Sequence, residues 1–435
     1  MVGRPAEFGG EARGREARQR AVKGMTLIQT PGGPRSILVL ALLALGAGCE
    51  ADPARFRSNL MFARKQEETV GEKLSPRQLQ DVADALAALF GTPDDPYVIP
   101  GGGLGLDALL DARRLKFAAG PVGRDQSAEA GGLYRQHCVH CHGVTGDGAG
   151  PTAAFLNPYP RDFRRGIFKF KSTPKGSRPT RQDLHRTLVE GIPGTAMPSF
   201  RLLPEGELEA LIDYVIYLSM RGEVERALLE ETADLDAEGG ERLDTSPENL
   251  IEEKLASVVR RWQAADGQVT PVPPPPTLDP VAAAARGREL FFGSIANCVK
   301  CHGELQLGDG QVDDYDDWTK EFYDWAKAPD AAVRRAKVDE LVALGGLSPR
   351  TIRPRNLRTG VYRGGRRPLD LYWRIHDGID GTPMPGSLMK PEGAPLEAKG
   401  LTPEDIWSLV EYVRSLPYDA LSRPHAPPAY GRDRM

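Results

Sequence analysis

Four of the five cysteines in this 435-residue chain fall into two copies of one short pattern. The two copies are Cys138-Val-His-Cys141-His142 and Cys298-Val-Lys-Cys301-His302. In each copy two thiols stand about one helical turn apart, and an imidazole follows directly. This set of groups suits three kinds of chemistry: covalent haem attachment, a zinc site, or a thiol-disulfide redox pair.

The order Cys-x-x-Cys-His favours haem, because both thiols can form thioethers with the vinyl groups while the histidine ligates the iron. A shared zinc site is disfavoured, since the two copies lie 160 residues apart (298 minus 138). A thioredoxin-like pair is disfavoured because neither copy lies in a strand-helix-strand pattern. We therefore expect two covalently bound haem c groups, with His142 and His302 as iron ligands.

Four blocks of sequence recur in the same order, which indicates an internal repeat. They are the cysteine motif with the stretch before it, Pro160-Arg161 to Gly166 against Pro354-Arg355 to Gly360, Gly194-Thr-Ala-Met197-Pro198 against Gly381-Thr-Pro-Met384-Pro385, and an apolar helical stretch, 207–218 against 405–416. We predict two homologous helical domains, residues 124–222 and 281–420.

Each repeat places one methionine in a Gly-Thr-x-Met-Pro loop before its last helix. We predict that Met197 and Met384 are the sixth iron ligands, because core packing, the usual role of methionine, does not explain the same loop twice. A thioether ligand raises the reduction potential relative to a second histidine. The alternative ligands are His185 and His376, which lie near the methionines but at non-equivalent positions of the repeat.

These blocks resemble class I cytochrome c domains, and the resemblance covers roughly half of the chain. It implies a mainly α fold in which the first helix of each domain, carrying a glycine and an aromatic residue, packs across the last helix. It also implies that the carbonyl of Pro151 accepts a hydrogen bond from the ring N–H of His142, which orients the imidazole.

The second repeat departs from this pattern. It has no proline that matches Pro151, so the partner that orients His302 is open. The interval from axial histidine to methionine is 82 residues, against 55 in the first repeat (384 minus 302, and 197 minus 142). The difference reflects an insertion at about 311–350, rich in acidic and aromatic residues. It is a docking surface, a cover over the second haem, or a solvated loop.

Arginines and lysines cluster before each methionine loop. Arg161 and Arg355 stand at matching positions, and we predict that they pair with haem propionates through charge-assisted hydrogen bonds. The other basic residues are either a solvated face or a surface that steers an acidic redox partner.

The first 48 residues have the pattern of an export signal. An apolar run at 37–47 follows Arg35 and is too short to span a bilayer. It ends in Leu45-Gly-Ala-Gly-Cys49, which resembles the lipobox of bacterial lipoproteins, although the leucine stands one position further upstream than usual. We expect Cys49 to be lipidated; the alternative is an ordinary secretory signal. Translation from Met25 gives a signal of ordinary length.

Three further segments complete the predicted organisation. Residues 49–123 form a helical cap or a spacer, with a helix from Ser75 to Phe90. Residues 223–280 form a linker with one amphipathic helix (249–264) and a proline run (272–276) that acts as a stiff spacer. Residues 421–435 form a tail.

A formal net charge of −4 gives no electrostatic footprint for nucleic acid. The expected function is one-electron transfer without substrate chemistry, in the bacterial periplasm, between membrane-associated respiratory partners and with a lipid anchor. The alternatives are an enzyme that resembles dihaem peroxidases, or a fixed electron-transfer subunit of an oxidase or dehydrogenase.

Overall fold

Apolar residues at helical spacing run through most of the chain, and the computed structural model forms α-helices from them. It describes residues 53–99, 103–124, 130–236, 238–277, 279–312, 314–315, 329–395 and 397–418. The α-helices in these residues are α1 Leu60–Val70, α2 Pro76–Phe90, α3 Ala112–Ala118, α4 Leu133–His137, α5 Val139–His142, α6 Arg181–Glu190, α7 Glu205–Ala233, α8 Ala256–Gln263, α9 Pro280–Phe292, α10 Val299–His302, α11 Ala331–Ala343, α12 Pro368–Asp377 and α13 Pro403–Ser415. Two short strands, β1 Gly123–Arg124 and β2 Ala130–Gly131, pair antiparallel.

The first and last helices of each repeat pack across each other, so the predicted mainly α fold is confirmed. In the second repeat, Phe291 of α9 meets Tyr412 of α13 edge to face at 5.4 Å. Gly287 lies against the backbone of Ser408, where a Cβ atom would overlap the carbonyl oxygen. In the first repeat the aromatic pair is Tyr134 and Tyr214, with ring centroids 4.9 Å apart.

Helix α7 is longer than the predicted 207–218 stretch and organises the N-terminal residues. Its second half is buried as completely as its first, with Val224 and Leu228 fully inaccessible to solvent. Helices α1, α2 and α3 pack against it and share one hydrophobic core with the first domain. Ser75 caps α2 in a capping box with Gln78, as its sequence predicted. The three helices α1 to α3 therefore share the core of the first domain, and we call them the helical cap.

The segment predicted to be a linker is docked along its length. A π-helix, Glu248–Leu255, continues into α8, whose Trp262 lies in the core of the first domain. The proline run follows, and the indole of Trp407 donates to the carbonyl of Pro273 at 3.1 Å. Proline lacks an N–H but keeps its carbonyl as an acceptor, so the run lies fixed on the second domain.

The described end of the insertion joins separate parts of the chain. Leu341 of α11 packs against Met61 of α1, and Arg64 forms an ion pair with Glu340 at 2.7 Å. The hydroxyl of Tyr159, in the first domain, donates to the Ser348 carbonyl at 3.0 Å. Residues 329–350 thus bridge the helical cap and the first domain; positions 313 and 316–328 lie outside the described residues.

The described residues between 54 and 418 belong to one compact unit, within which both repeats lie. None of the helices in the described ranges is long and apolar enough to cross a membrane. The predicted signal region and Cys49 lie outside the described residues.

Candidate haem-binding sites

The first cysteine motif folds as a single helical turn that presents His142. The His142 N–H donates to the Cys138 carbonyl at 2.9 Å, and Gly143 ends the turn with a positive φ of 72°. The imidazole stacks on Phe163 with ring centroids 4.5 Å apart. Burial lowers the pKa of His142 to about 4, so the ring is neutral at pH 7 and suited to metal ligation.

A backbone carbonyl sets the orientation of this ring. Nδ1 of His142 lies 3.1 Å from the carbonyl oxygen of Arg161. With its proton on Nδ1 donated there, the ring keeps a lone pair on Nε2 for iron, and the hydrogen bond increases its basicity. The prediction that the Pro151 carbonyl is this acceptor is wrong.

The close approach of two loops explains why the carbonyl of Arg161, and not that of Pro151, is the acceptor. Gly148 packs against the backbone of Pro160 and Arg161, where any side chain would overlap the Pro160 carbonyl region. This contact brings the Pro-Arg block beside the imidazole, whereas Pro151 is solvent-exposed. The same Pro-Arg block occurs in the second domain. The internal repeat therefore pointed to this block as the source of the acceptor, whereas the family resemblance pointed to Pro151.

The second motif has the same geometry. The His302 N–H donates to the Cys298 carbonyl at 2.9 Å, and Nδ1 lies 3.2 Å from the carbonyl oxygen of Arg355. Gly308 packs against the Pro354 backbone, as Gly148 does against Pro160. Burial lowers the pKa of His302 as well. The partner of His302, which the sequence left open, is therefore the residue that matches Arg161.

The first cysteine of each motif is shielded from solvent, with Cys138 buried and Cys298 half-buried. Burial raises the pKa of Cys138 to about 12 and that of Cys298 to about 11. Thiols held protonated in apolar surroundings are poor redox nucleophiles and poor zinc ligands. Over the described residues, His, Cys, Asp and Glu side chains form no group of three or more that fits a metal ion. Covalent attachment of haem is the chemistry that these thiols suit.

The two methionine loops share one hydrogen-bond pattern. The Thr195 hydroxyl donates to the Ile192 carbonyl at 2.8 Å and accepts from the Met197 N–H at 3.1 Å. In the second domain Thr382 makes the same bonds to Ile379 and Met384, at 2.8 and 3.2 Å. A threonine two residues before the methionine thus fixes each loop.

Comparison with known families agrees with this geometry. Residues 125–215 match the family model described as cytochrome c oxidase, cbb3-type, subunit III, and residues 284–417 match the family model of cytochrome c. The chain is a c-type cytochrome. It carries two covalently bound haem c groups, one in each domain, and such domains transfer electrons.

More distant likeness is limited. The cytochrome is similar to a chain of a reducing HAO-like protein complex from Kuenenia stuttgartiensis, with 24% identity and a TM-score of 0.41 over 65% of this chain and 93% of that chain. No curated protein matches the sequence.

The alternative histidine ligands are both engaged by carboxylates in the cytochrome. Nε2 of His185 lies 3.0 Å from Oε1 of Glu205, at the start of α7. Nδ1 of His376 lies 2.8 Å from Oδ1 of Asp377, and its ring stacks on Tyr372. Met197 and Met384 remain the predicted ligands.

Arg363 lies close to Arg355 in the second domain. The Nε atom of Arg363 is buried and has no hydrogen-bond partner. Burial, and then the charge of Arg355, lower the pKa of Arg363. We predict that the half-buried Arg363 guanidinium, next to a second cation, pairs with an anionic group such as a haem propionate. The Arg355 side chain donates through Nε to the Val361 carbonyl at 3.0 Å, and its predicted propionate contact, like that of Arg161, stays a prediction.

Proposed function

We propose that this cytochrome carries single electrons between membrane-associated respiratory partners on the outer face of the cytoplasmic membrane. The observation that carries the proposal is the identical fixing of both methionine loops by Thr195 and Thr382. An enzyme that reduces peroxide needs a haem whose sixth position is open or easily vacated. Two methionine loops that are fixed by the same threonine hydrogen bonds support a carrier instead.

The contacts between the domains support transfer within one molecule. Each methionine loop touches the other domain: the Lys175 ammonium donates to the Met384 carbonyl at 2.9 Å, and the Arg355 guanidinium packs against Gly194. Both methionine loops therefore lie at the contact between the domains, which supports electron transfer between the two haems. An electron that enters at one haem can leave from the other.

The proposed location rests on the sequence before the described residues. Bacterial cytochrome c domains are typically extracytoplasmic, and the lipobox-like Leu45-Gly-Ala-Gly-Cys49 supports a lipid anchor. A Cys49→Ser variant should move from the membrane fraction to the soluble periplasmic fraction while keeping its haem. Retention on the membrane would exclude the anchor at Cys49.

A redox titration of the full chain, repeated with hydrogen peroxide, tests the carrier function. We expect both haems to be reduced and reoxidised reversibly, with no catalytic loss of peroxide under an electron donor. Turnover of peroxide, together with a high-spin signal from one haem, would identify a peroxidase.

A second candidate is a fixed electron-transfer subunit of a larger oxidoreductase. The match of the first domain to a family model named for an oxidase subunit favours it. Detergent extraction and affinity purification of the tagged chain distinguish the two. A stoichiometric complex that persists at high salt would support the subunit, and isolation of the free cytochrome would support the mobile carrier.

A further inference from the structure

The two domains differ in the segment between the Pro-Arg block and the helix before the methionine loop. From Gly166 to Thr180, the N-cap of α6, the interval is 14 residues (180 minus 166). From Gly360 to Arg367, the N-cap of α12, it is seven (367 minus 360). The first domain therefore has seven extra residues here, and we call residues 171–178 the basic loop.

The basic loop contacts the methionine loop of the second domain, residues 379–384. Nζ of Lys171 lies 3.3 Å from Oδ2 of Asp380, and the Gly176 N–H donates to the same oxygen at 2.8 Å. Lys175 donates to the Met384 carbonyl at 2.9 Å. Three donors from one domain thus converge on the backbone and side chain that surround the predicted ligand of the other.

The basic loop is rigid and buried at its base. The Lys171 side chain is 3% exposed, and its ammonium donates to carbonyls of its own loop, including Ser177 at 2.8 Å. The Thr173 hydroxyl donates to the Arg178 carbonyl at 2.8 Å, and Arg178 in turn pairs with buried Glu223. A loop held in this way can fix the position of what it touches.

We propose that the basic loop is a clamp on residues 379–384, in which Lys171, Lys175 and Asp380 are positioning residues that keep Met384 at the second haem. The inference rests on Met384 being the ligand. The Asp380 contacts are charge-assisted, and the Lys171 side chain that makes one of them is buried, so loss of this pair should have a measurable cost. In the first methionine loop the residue that matches Asp380 is Pro193. The acidic residue is therefore present only in the methionine loop that the basic loop contacts.

The test measures binding of imidazole to the oxidised, full-length, dihaem protein by absorbance titration. Lys171→Met and Asp380→Asn should each raise the imidazole affinity of one haem about tenfold and weaken its methionine-to-iron charge-transfer band. The other haem should keep its affinity. Lys175→Met, which replaces an exposed side chain, should give a smaller increase of roughly threefold.

A double-mutant cycle and a matched control complete the design. Because Lys171 and Asp380 act as a pair, the Lys171→Met/Asp380→Asn double variant should not exceed the larger single effect. The control is Lys116→Met, which removes a lysine from an exposed pair with Asp95. Equal changes at both haems, additive effects, or no change in any variant would overturn the clamp. If Met384→Ala leaves the charge-transfer band intact, the ligand assignment has failed, which is a separate result.

Discussion

The carbonyl oxygen of Arg355 lies 3.2 Å from Nδ1 of His302, and the carbonyl of Arg161 lies 3.1 Å from Nδ1 of His142. Both arginines were candidates for propionate binding through their side chains, yet their backbones orient the histidines. A backbone acceptor is insensitive to the side chain at its position. Substitution of Arg161 or Arg355 should therefore leave iron ligation by His142 and His302 intact. Only the contacts made by the replaced guanidinium should be lost.

Replacement of each methionine tests the sixth ligands. Met197→Ala and Met384→Ala should each remove about half of the methionine-to-iron charge-transfer band, because each domain contributes one thioether. The haem that loses its methionine should also have a lower potential. Absorbance and redox titration measure both effects. An unchanged spectrum would transfer the assignment to His185 in the first domain or His376 in the second.

The threonines of the methionine loops should tune how firmly the ligand is held. Thr195→Val and Thr382→Val each remove one hydroxyl that both donates and accepts within its loop. A net loss of about 1 kcal/mol per hydrogen bond, over two bonds, corresponds to roughly a 30-fold increase in imidazole affinity at that haem. Thr69→Val, in an exposed turn of α1, is the matched control. An equal response of the control variant would contradict a local role.

Much of each site was predictable because local rules determine it. The spacing of Cys138, Cys141 and His142 requires one helical turn, and a loop repeated twice around Met197 and Met384 indicates a shared function. The helix from Ser75 to Phe90 followed from the residue types at its start and along its length. Such features depend on residues close together in the sequence, where spacing and side-chain type carry the information.

What escaped prediction depends on distant contacts. The acceptor for His142 comes from a loop 19 residues away, which the Gly148 turn brings into place. Trp262 lies in a segment that reads as a linker, yet it packs on the first domain because α7 extends past Leu218 and provides an apolar surface. The sequence alone does not show that the extended α7 packs against the segment with Trp262. It also does not show that the seven extra residues before α6 contact residues 379–384.

Glu223 should be critical for stability. Its buried carboxylate, 4% exposed, accepts from Arg178 Nε at 2.9 Å, the Trp262 indole at 3.0 Å and Arg261 at 3.0 Å. Glu223→Ala leaves the Arg178 charge buried without its partner, and loss of one member of a buried pair costs about 3–5 kcal/mol. Chemical denaturation followed by circular dichroism measures the change.

Two further variants serve as references for the loss of stability expected in Glu223→Ala. Glu223→Gln keeps an acceptor for the indole and should fall between the wild type and Glu223→Ala. Arg242→Ala removes the solvent-exposed partner of Asp81 and should change stability little, because water and salt screen such pairs. A Glu223→Ala protein as stable as Arg242→Ala would show that the network is not needed for the fold.

The potential of the second haem should depend on Arg363. Its half-buried guanidinium has an Nε without a hydrogen-bond partner, and we predict that it contacts a propionate of the second haem. A nearby positive charge favours the reduced iron. Arg363→Gln should lower that potential by on the order of 1 kcal/mol, or roughly 40 mV for one electron. The first haem should not change. Arg366→Gln, which removes an exposed arginine hydrogen-bonded to Tyr418, should leave both potentials in place. Equal shifts in the two variants would mean that overall charge, rather than a specific contact of Arg363, sets the potential.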